Sequence, residues 1–411
     1  MFRHLCKLVW NRKRVNFLIT LEIFISFLVV FGVIVFAVYY LDNYRHPLGF
    51  NYENVWAVQV GIEKKSDDSD RQRLLDTTKQ MLATLKDFGE IEHVAAVWGA
   101  PYSRGNWQSG NTIKGRNVRF WGNFMTDEAK DVFGINIVRG RWFGKEDDGA
   151  NYNPIILNQK TARDIFGDED PLGKNPEERF DPDPDGPSPS ANREPKKPER
   201  VIGIIDDFRK NGEFAELFGY QIFRNTLTMP DGREPRAFVM KVRPGTTAEF
   251  EEKLVKRMQA IAKDWSFEVK TIAQMRSENH TSYYVPIAAF GLVAGFLMLM
   301  VALGLTGVLW QSVTQRTKEI GLRRAKGATA TRIYKQILGE LLVITTFGLL
   351  IGVLVVIQFP LLDFLGFATK QVYLYSMLLS LALIYLLTIA CGLYPSRLAT
   401  KVQPAEALHY E

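Results

Sequence analysis

The sequence predicts a helical membrane protein with four transmembrane helices and a large α+β extracytoplasmic domain. The first observation behind this is the clustering of apolar residues. The 411 residues are 46% hydrophobic, but most apolar side chains fall in four blocks. Phe17 to Tyr40 holds one charge, Glu22; Val285 to Trp310 holds none; Ile337 to Phe359 holds Glu340 alone; Val372 to Tyr394 holds none. Each reaches the roughly 20 residues that a helix needs to cross a hydrocarbon core. The second observation is charge asymmetry. Residues 1–16 carry Arg3, Lys7, Arg12, Lys13 and Arg14 without an acid, and residues 311–335 carry seven bases against Glu319. Residues 41–283, by contrast, hold 36 bases and 39 acids. The third is that this middle stretch alternates strand-like and helix-like patterns, as a folded domain does.

Taken in order, residues 1–16 form a basic cytoplasmic N-terminus and 17–40 the first span. A signal peptide would also follow a basic segment. This apolar run is about twice the usual length, however, and no small-residue cleavage site follows it, so it reads as a retained anchor. Lys and Arg collect on short cytoplasmic flanks. The expected topology is therefore N-terminus inside, 41–283 outside, spans at 285–310, 337–359 and 372–394, a cytoplasmic loop at 311–335 and a cytoplasmic tail at 395–411. Cys6 lies on the inner side and Cys391 in the last span, so the external domain has no disulfide of its own. The net charge of +6 belongs to the membrane flanks and gives no support for nucleic-acid binding.

Within the external domain, Val55 to Val60 reads as a strand and Arg71 to Phe88 as a helix, with Leu74, Leu75, Thr78, Met81, Leu82, Leu85 and Phe88 at helical spacing. Val94 to Trp98 returns as a strand. The pattern repeats with Phe238 to Val242, a capping-box signature at Thr246 and Glu249, an apolar stripe of Phe250, Leu254, Met258 and Ile261, and then Phe267 to Lys270. Two βαβ-like units around a long middle section predict a split α+β sheet with a subdomain inserted at about 100–205. Residues 176–198 contain seven prolines and almost no apolar side chains, which predicts a mobile loop.

Catalytic motifs are absent from the sequence. There is no G-x-x-x-x-G-K-[ST], G-x-S-x-G, H-E-x-x-H or paired C-x-x-C, and His4, His46, His93, His280 and His409 lack ligand spacing. No catalytic, cofactor-binding or metal site is expected. Asn279-His280-Thr281 matches a glycosylation sequon. Glu22 and Glu340 are intramembrane acids, open to structural packing or to proton or substrate handling. Gly291 with Gly295, and Gly348 with Gly352, form small-residue faces that permit close helix packing. In the cytoplasmic loop Glu319 can pair with Arg323 at i,i+4, Gly327 suits a helix C-cap, and Thr329 or Thr331 can start the next helix. Two short helices meeting at a glycine corner fit either a plain positive-inside loop or a surface on which a cytoplasmic partner pushes.

Several runs then become recognisable. Gln315-Arg-Thr-Lys-Glu-Ile-Gly-Leu-Arg-Arg-Ala-Lys-Gly-Ala-Thr resembles the "R-T-x-E-I-G-x-R-x-A-x-G-A" signature of FtsX-like permeases of the MacB class of ABC transporters. The tail from Tyr394, with Pro404-Ala-Glu-Ala-Leu-His-Tyr-Glu411, is similar to the family ending. Phe133 to Phe143, Ile156 to Arg163, Phe166 to Lys174 and Val201 to Phe208 resemble the MacB-like periplasmic core. The similarity covers nearly the whole chain. The resemblance implies a Porter subdomain with an inserted Sabre subdomain, in a dimer of four-span permeases formed by a second copy or a paralogue. It also implies a cytoplasmic ABC ATPase that binds ATP and Mg²⁺, and mechanotransmission in the bacterial inner membrane. Export of a periplasmic substrate would then involve a periplasmic adaptor and an outer-membrane protein. Carried over residue by residue, Arg316, Glu319, Ile320, Gly321, Arg323 and Gly327 would form the ATPase-coupling surface. With only about 16 residues before the first span, the ATPase is expected on a separate polypeptide, and this chain is not expected to be an enzyme. Lipoprotein release of the LolC and LolE type, and FtsX-like signalling to a cell-wall hydrolase, are the alternatives within the resemblance.

Overall fold

A computed structural model describes residues 13–62, 68–103, 107–181, 197–228, 232–315, 317–362 and 366–400. In chain order, α1 (Lys13–Tyr44) is followed by β1 (Val55–Ile62), α2 (Asp68–Lys86) and β2 (Ile91–Val97). An inserted section then gives β3 (Trp107–Ile113), β4 (Arg116–Met125), α3 (Ala129–Phe133), β5 (Ile137–Gly140), β6 (Asn153–Asn158), α4 (Gln159–Phe166), β7 (Glu199–Ile205) and β8 (Gly219–Arg224). The first pattern resumes as β9 (Ala237–Val242), α5 (Ala248–Ile261) and β10 (Trp265–Thr271). Helices α6 (Ile272–Gln315), α7 (Thr317–Ala325), α8 (Ala330–Val356), α9 (Gln358–Leu361) and α10 (Lys370–Thr400) follow. The chain divides into an α+β unit, Asn43–Ser282, and a helical unit made of the remainder.

In the α+β unit the two βαβ segments interleave. Their strand order is β10-β1-β9-β2, all antiparallel neighbours. Odd and even positions of β1 face opposite ways and both are buried. Trp56 and Val58 pack under α2 and α5 with Leu75, Met81, Phe250 and Leu254. Val55 and Ala57 face a second core with Phe133, Phe208, Tyr220 and the first turn of α6, through Ile272 and Met275. At the start of α5 the N-cap is Thr247, without a side-chain cap bond, so the expected Thr246–Glu249 capping box does not form. The Thr246 hydroxyl instead donates back to the Arg243 carbonyl at 2.7 Å.

The inserted section extends the same sheet. Val97 of β2 pairs with Met125 of β4, and the order continues β4-β8-β6-β7-β5. β8 lies between β4 and β6, so the insert runs on through Arg224 and past the expected limit at 205. The β3–β4 hairpin closes through Lys114 and Gly115, both at positive φ (48° and 73°), the conformation of a two-residue I′ turn. Asp181 accepts hydrogen bonds from both of their backbone N–H groups, at 3.0 and 2.9 Å. The proline-rich stretch therefore begins as packed chain. Pro176–Arg179 is a single 3₁₀ turn capped by Asn175, and Phe180 packs on the Ile165–Phe166 core. Residues 182–196, where mobility is expected, lie outside the described residues.

In the helical unit four helices are long and apolar enough to cross a membrane: Phe17–Tyr44, Ile272–Gln315, Ala330–Leu361 and Lys370–Leu393. α8 and α10 pair through a Thr345–Thr388 hydroxyl contact of 3.2 Å and a Thr346–Tyr385 contact of 3.0 Å. α1 packs on α8 where glycine allows it. A Cβ built at Gly348 would lie 3.0 Å from the Thr20 carbonyl oxygen, and one at Gly352 would collide with the Phe27 ring. Gly291 and Gly295 meet nothing within 4 Å. That second small-residue face is open in the single chain.

Candidate functional site

The loop between the second and third spans folds as two helices at a sharp corner. α7 stops because Gly327 adopts φ +91°, and the Ala328 N–H reaches back 2.9 Å to the Arg323 carbonyl, the longer bond of a Schellman turn. Thr329 then caps α8, whose Arg332 and Ile333 N–H groups bond to its carbonyl. Arg323 is the pivot. Its guanidinium donates to Glu319 one turn earlier, at 2.5 Å, and to Gln336 on α8, at 2.7 Å. Gln336 donates onward to Glu340 at 3.3 Å, so the intramembrane acid belongs to a polar chain that begins at the corner. Ile320 is buried against Val313, Ile333 and Ile337, and Gly321 is buried beside it. Glu319, Leu322 and Lys326 remain exposed. The corner is thus braced on one face by an apolar plug and one arginine, and it is open on the other. Arg316 lies outside the described residues. Glu22 is half-buried with its carboxylate against Gly304, where a Cβ would come within 2.7 Å.

In the α+β unit, the runs that resemble the MacB-like core meet around Asn158. Its side-chain oxygen caps α4 at Thr161 N and accepts from Tyr220 N, both at 2.9 Å. Its amide donates to Asp207 and to the Phe218 carbonyl. Asp206 accepts from Gln159 and Asn136. Arg141 grips Asp147 with both terminal nitrogens at 2.7 and 2.6 Å. Burial would raise the Asp147 pKa, but the Arg141 hydrogen bonds, the Gly144 N–H and the charges of Arg141 and Arg224 together hold the carboxyl below its ordinary value. These motif residues fix loop geometry.

Beside them lies a cleft of about 1300 Å³ on the outer face of β3, β4 and β8. Its floor is an aromatic cluster in which Trp107 stacks on Phe124 (5.8 Å) and Phe124 on Phe223 (5.0 Å). Several of the polar and charged groups around it are engaged with one another. Arg224 binds Asp127 and Asp148, and Gln221 donates to the buried Glu199. Among the described residues, no group of three or more His, Cys, Asp or Glu is placed to hold a metal ion.

Sequence reasoning did not find a third cluster, where the ends of α1 and α6 meet the loop after β7. Glu213 is buried there with Arg209, Tyr102, Arg276 and His280 around it. Asn279 of the sequon lies in the same place, half-buried, with its side-chain oxygen enclosed by the protein.

Four helices long and apolar enough to cross a membrane, a braced corner between the second and third, and an α+β unit between the first and second define a multi-span membrane protein. The family models agree. Residues 17–257 match the MacB-like periplasmic core domain and residues 291–404 the FtsX-like permease C-terminal domain. The chain belongs to the MacB-like ABC transporter permease family. It is 26% identical over 357 residues to the macrolide export ATP-binding/permease protein MacB of Bdellovibrio bacteriovorus, covering 82% of this chain and 49% of that one. It is 27% identical over 314 residues to the uncharacterized ABC transporter permease YknZ of Bacillus subtilis, covering 70% of each. The solved periplasmic region of MacB from Actinobacillus actinomycetemcomitans aligns at 16% identity with a TM-score of 0.35, over 55% of this chain and 92% of that one. The chain spans about half the length of the MacB relatives it matches.

Proposed function

We propose that this chain is the permease subunit of an ABC transporter in a bacterial inner membrane, with both termini cytoplasmic and the α+β unit periplasmic. A separate cytoplasmic ATPase binds ATP and Mg²⁺ and works on a permease dimer, made with a second copy or a paralogue. Its closure pushes the corner formed by Glu319, Ile320, Gly321, Arg323 and Gly327, together with Arg316. The push reaches the periplasmic unit through the helices and drives export of a substrate already outside the membrane. A periplasmic adaptor and an outer-membrane duct complete the route. The observation that best supports this reading is the corner itself: a surface exposed at Glu319, Leu322 and Lys326 and braced from behind, in the segment between two spans where a cytoplasmic lever has to act.

The test is purification from native membranes in mild detergent, with mass spectrometry of what co-elutes. A stoichiometric Walker-A protein of about 25 kDa supports the reading, that being the size of one such domain. Repeated isolation with a cell-wall hydrolase and no ATPase refutes it. Recovery of an acylated lipoprotein redirects it to lipoprotein release.

A further inference from the structure

The chain passes between its two units twice, at Asp42–Asn43 and at Ser282–Tyr283. Just inside the α+β unit, both crossings are held by one loop. Arg209 is 4% exposed and donates to the Asn43 carbonyl at the end of α1 (2.7 Å) and to the Glu213 and Ala215 carbonyls of its own loop. The Asn43 amide donates back to the Phe214 carbonyl, and the Phe214 ring lies between Tyr44 of α1 and His280 of α6, at 5.4 and 5.0 Å. Glu213 completes the knot from the other side. It is 5% exposed, and its carboxylate accepts from Arg276 Nε at 2.5 Å and from the Tyr102 hydroxyl at 3.1 Å, with His280 Nε2 at 3.0 Å. Gly212 turns the loop at φ +93°, and a Cβ there would strike the Tyr102 ring. Arg276 also lies over Tyr52, 4.5 Å from the ring centroid.

We propose that the Arg209–Ala215 loop is a coupling joint. It clamps the end of α1 and the start of α6 so that any displacement of the two helices reaches the sheet as one movement, and Glu213 is the positioning residue that holds α6 in the clamp. The inference rests on the permease reading above. The physical reason is directionality. An apolar contact between helices slides at little cost, whereas a buried carboxylate with three fixed partners has one position in which all are satisfied. The loop is continuous with β7, which ends at Ile205 and pairs with β6 and β5. A shift imposed on Arg209 or Glu213 is therefore handed to the inserted part of the sheet. Arg276 and His280 are one helical turn apart, so both present to the same carboxylate only while α6 keeps its rotation.

The joint is tested on the full-length protein in nanodiscs, purified with its co-eluting ATPase, by hydrogen exchange with and without MgATP. In the wild type, amides of residues 43–48, 207–215 and 276–282 exchange with one common opening constant, and MgATP changes exchange in β6 and β7. Glu213→Gln keeps the shape and strands Arg276. Exchange in the three segments should then rise about tenfold or more and split into separate rates. ATP turnover should persist while the response in β6 and β7 disappears. If Glu213→Gln fails to fold, Tyr102→Phe removes one donor without stranding a charge, and it should give the same split more weakly. Separate opening constants in the wild type overturn the joint. So does a full β6–β7 response in a folded Glu213→Gln protein. A wild type that shows no MgATP response at all overturns the permease reading itself, and the transmission role falls with it.

Discussion

Lys210 is one of the least favourable residues to bury in this unit, and it gives the sharpest quantitative test. The side chain is 4% exposed beside Gly99, where a Cβ would come within 2.8 Å of its Nζ. Its carbonyl accepts from Tyr102 N. Burial, reinforced by the charge of Arg236, lowers its pKa from 10.5 to about 8. Below pH 8 both folded and unfolded chains carry the proton, and the folded chain bears the full cost of the buried charge. Between about 8 and 10.5 the folded chain has released the proton while the unfolded chain keeps it, so stability climbs with pH. The distance from about 8 to 10.5, at about 1.36 kcal/mol per pH unit, makes the full climb roughly 3 kcal/mol. Tyr102 and Tyr220 act in the opposite direction above pH 10, because burial raises their pKa values and the unfolded chain ionises first. The useful window is therefore pH 7.5 to 10. The perturbation is Lys210→Met, which keeps the length of the side chain and removes the titration. Denaturant unfolding of the full chain in detergent, followed by tryptophan fluorescence, should show the wild type gaining about 2–3 kcal/mol across that window. The Met variant should stay nearly flat. Parallel curves for the two proteins would mean that Lys210 does not titrate where its burial places it.

Two further predictions address the membrane unit. Arg323→Glu replaces an i,i+4 attraction with a repulsion and breaks the bond to Gln336. Both groups of the Glu319 pair are more than a third exposed, so the structural cost is only about 1–2 kcal/mol. If the corner couples to an ATPase as proposed, export should fall sharply in a protein that still melts near the wild-type temperature, and unimpaired transport in cells would remove Arg323 from the proposed coupling surface. Gly352→Val drives a side chain into Phe27 and should destabilise the helical unit by roughly 1–3 kcal/mol. Gly291→Val, on the open face, should leave the thermal melt of the dilute protein unchanged, and a comparable loss from both variants would contradict the packing described.

The parts of this fold that could be read from the sequence are those whose signal is local. Helix α2 and strand β1 advertise themselves by spacing, the four apolar helices by composition, and the α7 stop by one glycine, because each depends on neighbours within a turn or two. β8 leaves no such signal, because Gly219–Arg224 is short and its register is set by partners about a hundred residues earlier in β4. The first turns of α6 look like a polar connector, since Arg276, Glu278, Asn279 and His280 interrupt the apolar run before Val285. Their helical state is held by Ile272 and Met275 docking in the core and by Glu213, which is 63 residues away from Arg276 in sequence. Glu213 itself carries no local pattern. The only trace of it in the sequence is an Arg and a His one turn apart on the same helix, a spacing that becomes meaningful once a carboxylate is known to lie opposite.

If the charges of the joint serve only to stabilise it, they are poorly chosen. Burial alone would raise the Glu213 pKa, and the His280 and Arg276 hydrogen bonds are needed to bring it below its ordinary value. A buried ionic cluster of this kind is often no more stable than well-packed apolar side chains of similar volume. The variant that separates the two roles replaces the cluster entirely, with Glu213→Leu, Arg276→Met and His280→Leu combined with Tyr102→Phe, so that no polar atom of the set is left stranded. Its thermal melt should match or exceed that of the wild type. The α6 contact would then be apolar and free to slip in rotation, so the response of β6 and β7 to MgATP should weaken while ATP turnover continues. A variant that is stable and also fully responsive would show that packing alone transmits the movement, and that the charges at this joint have no part in it.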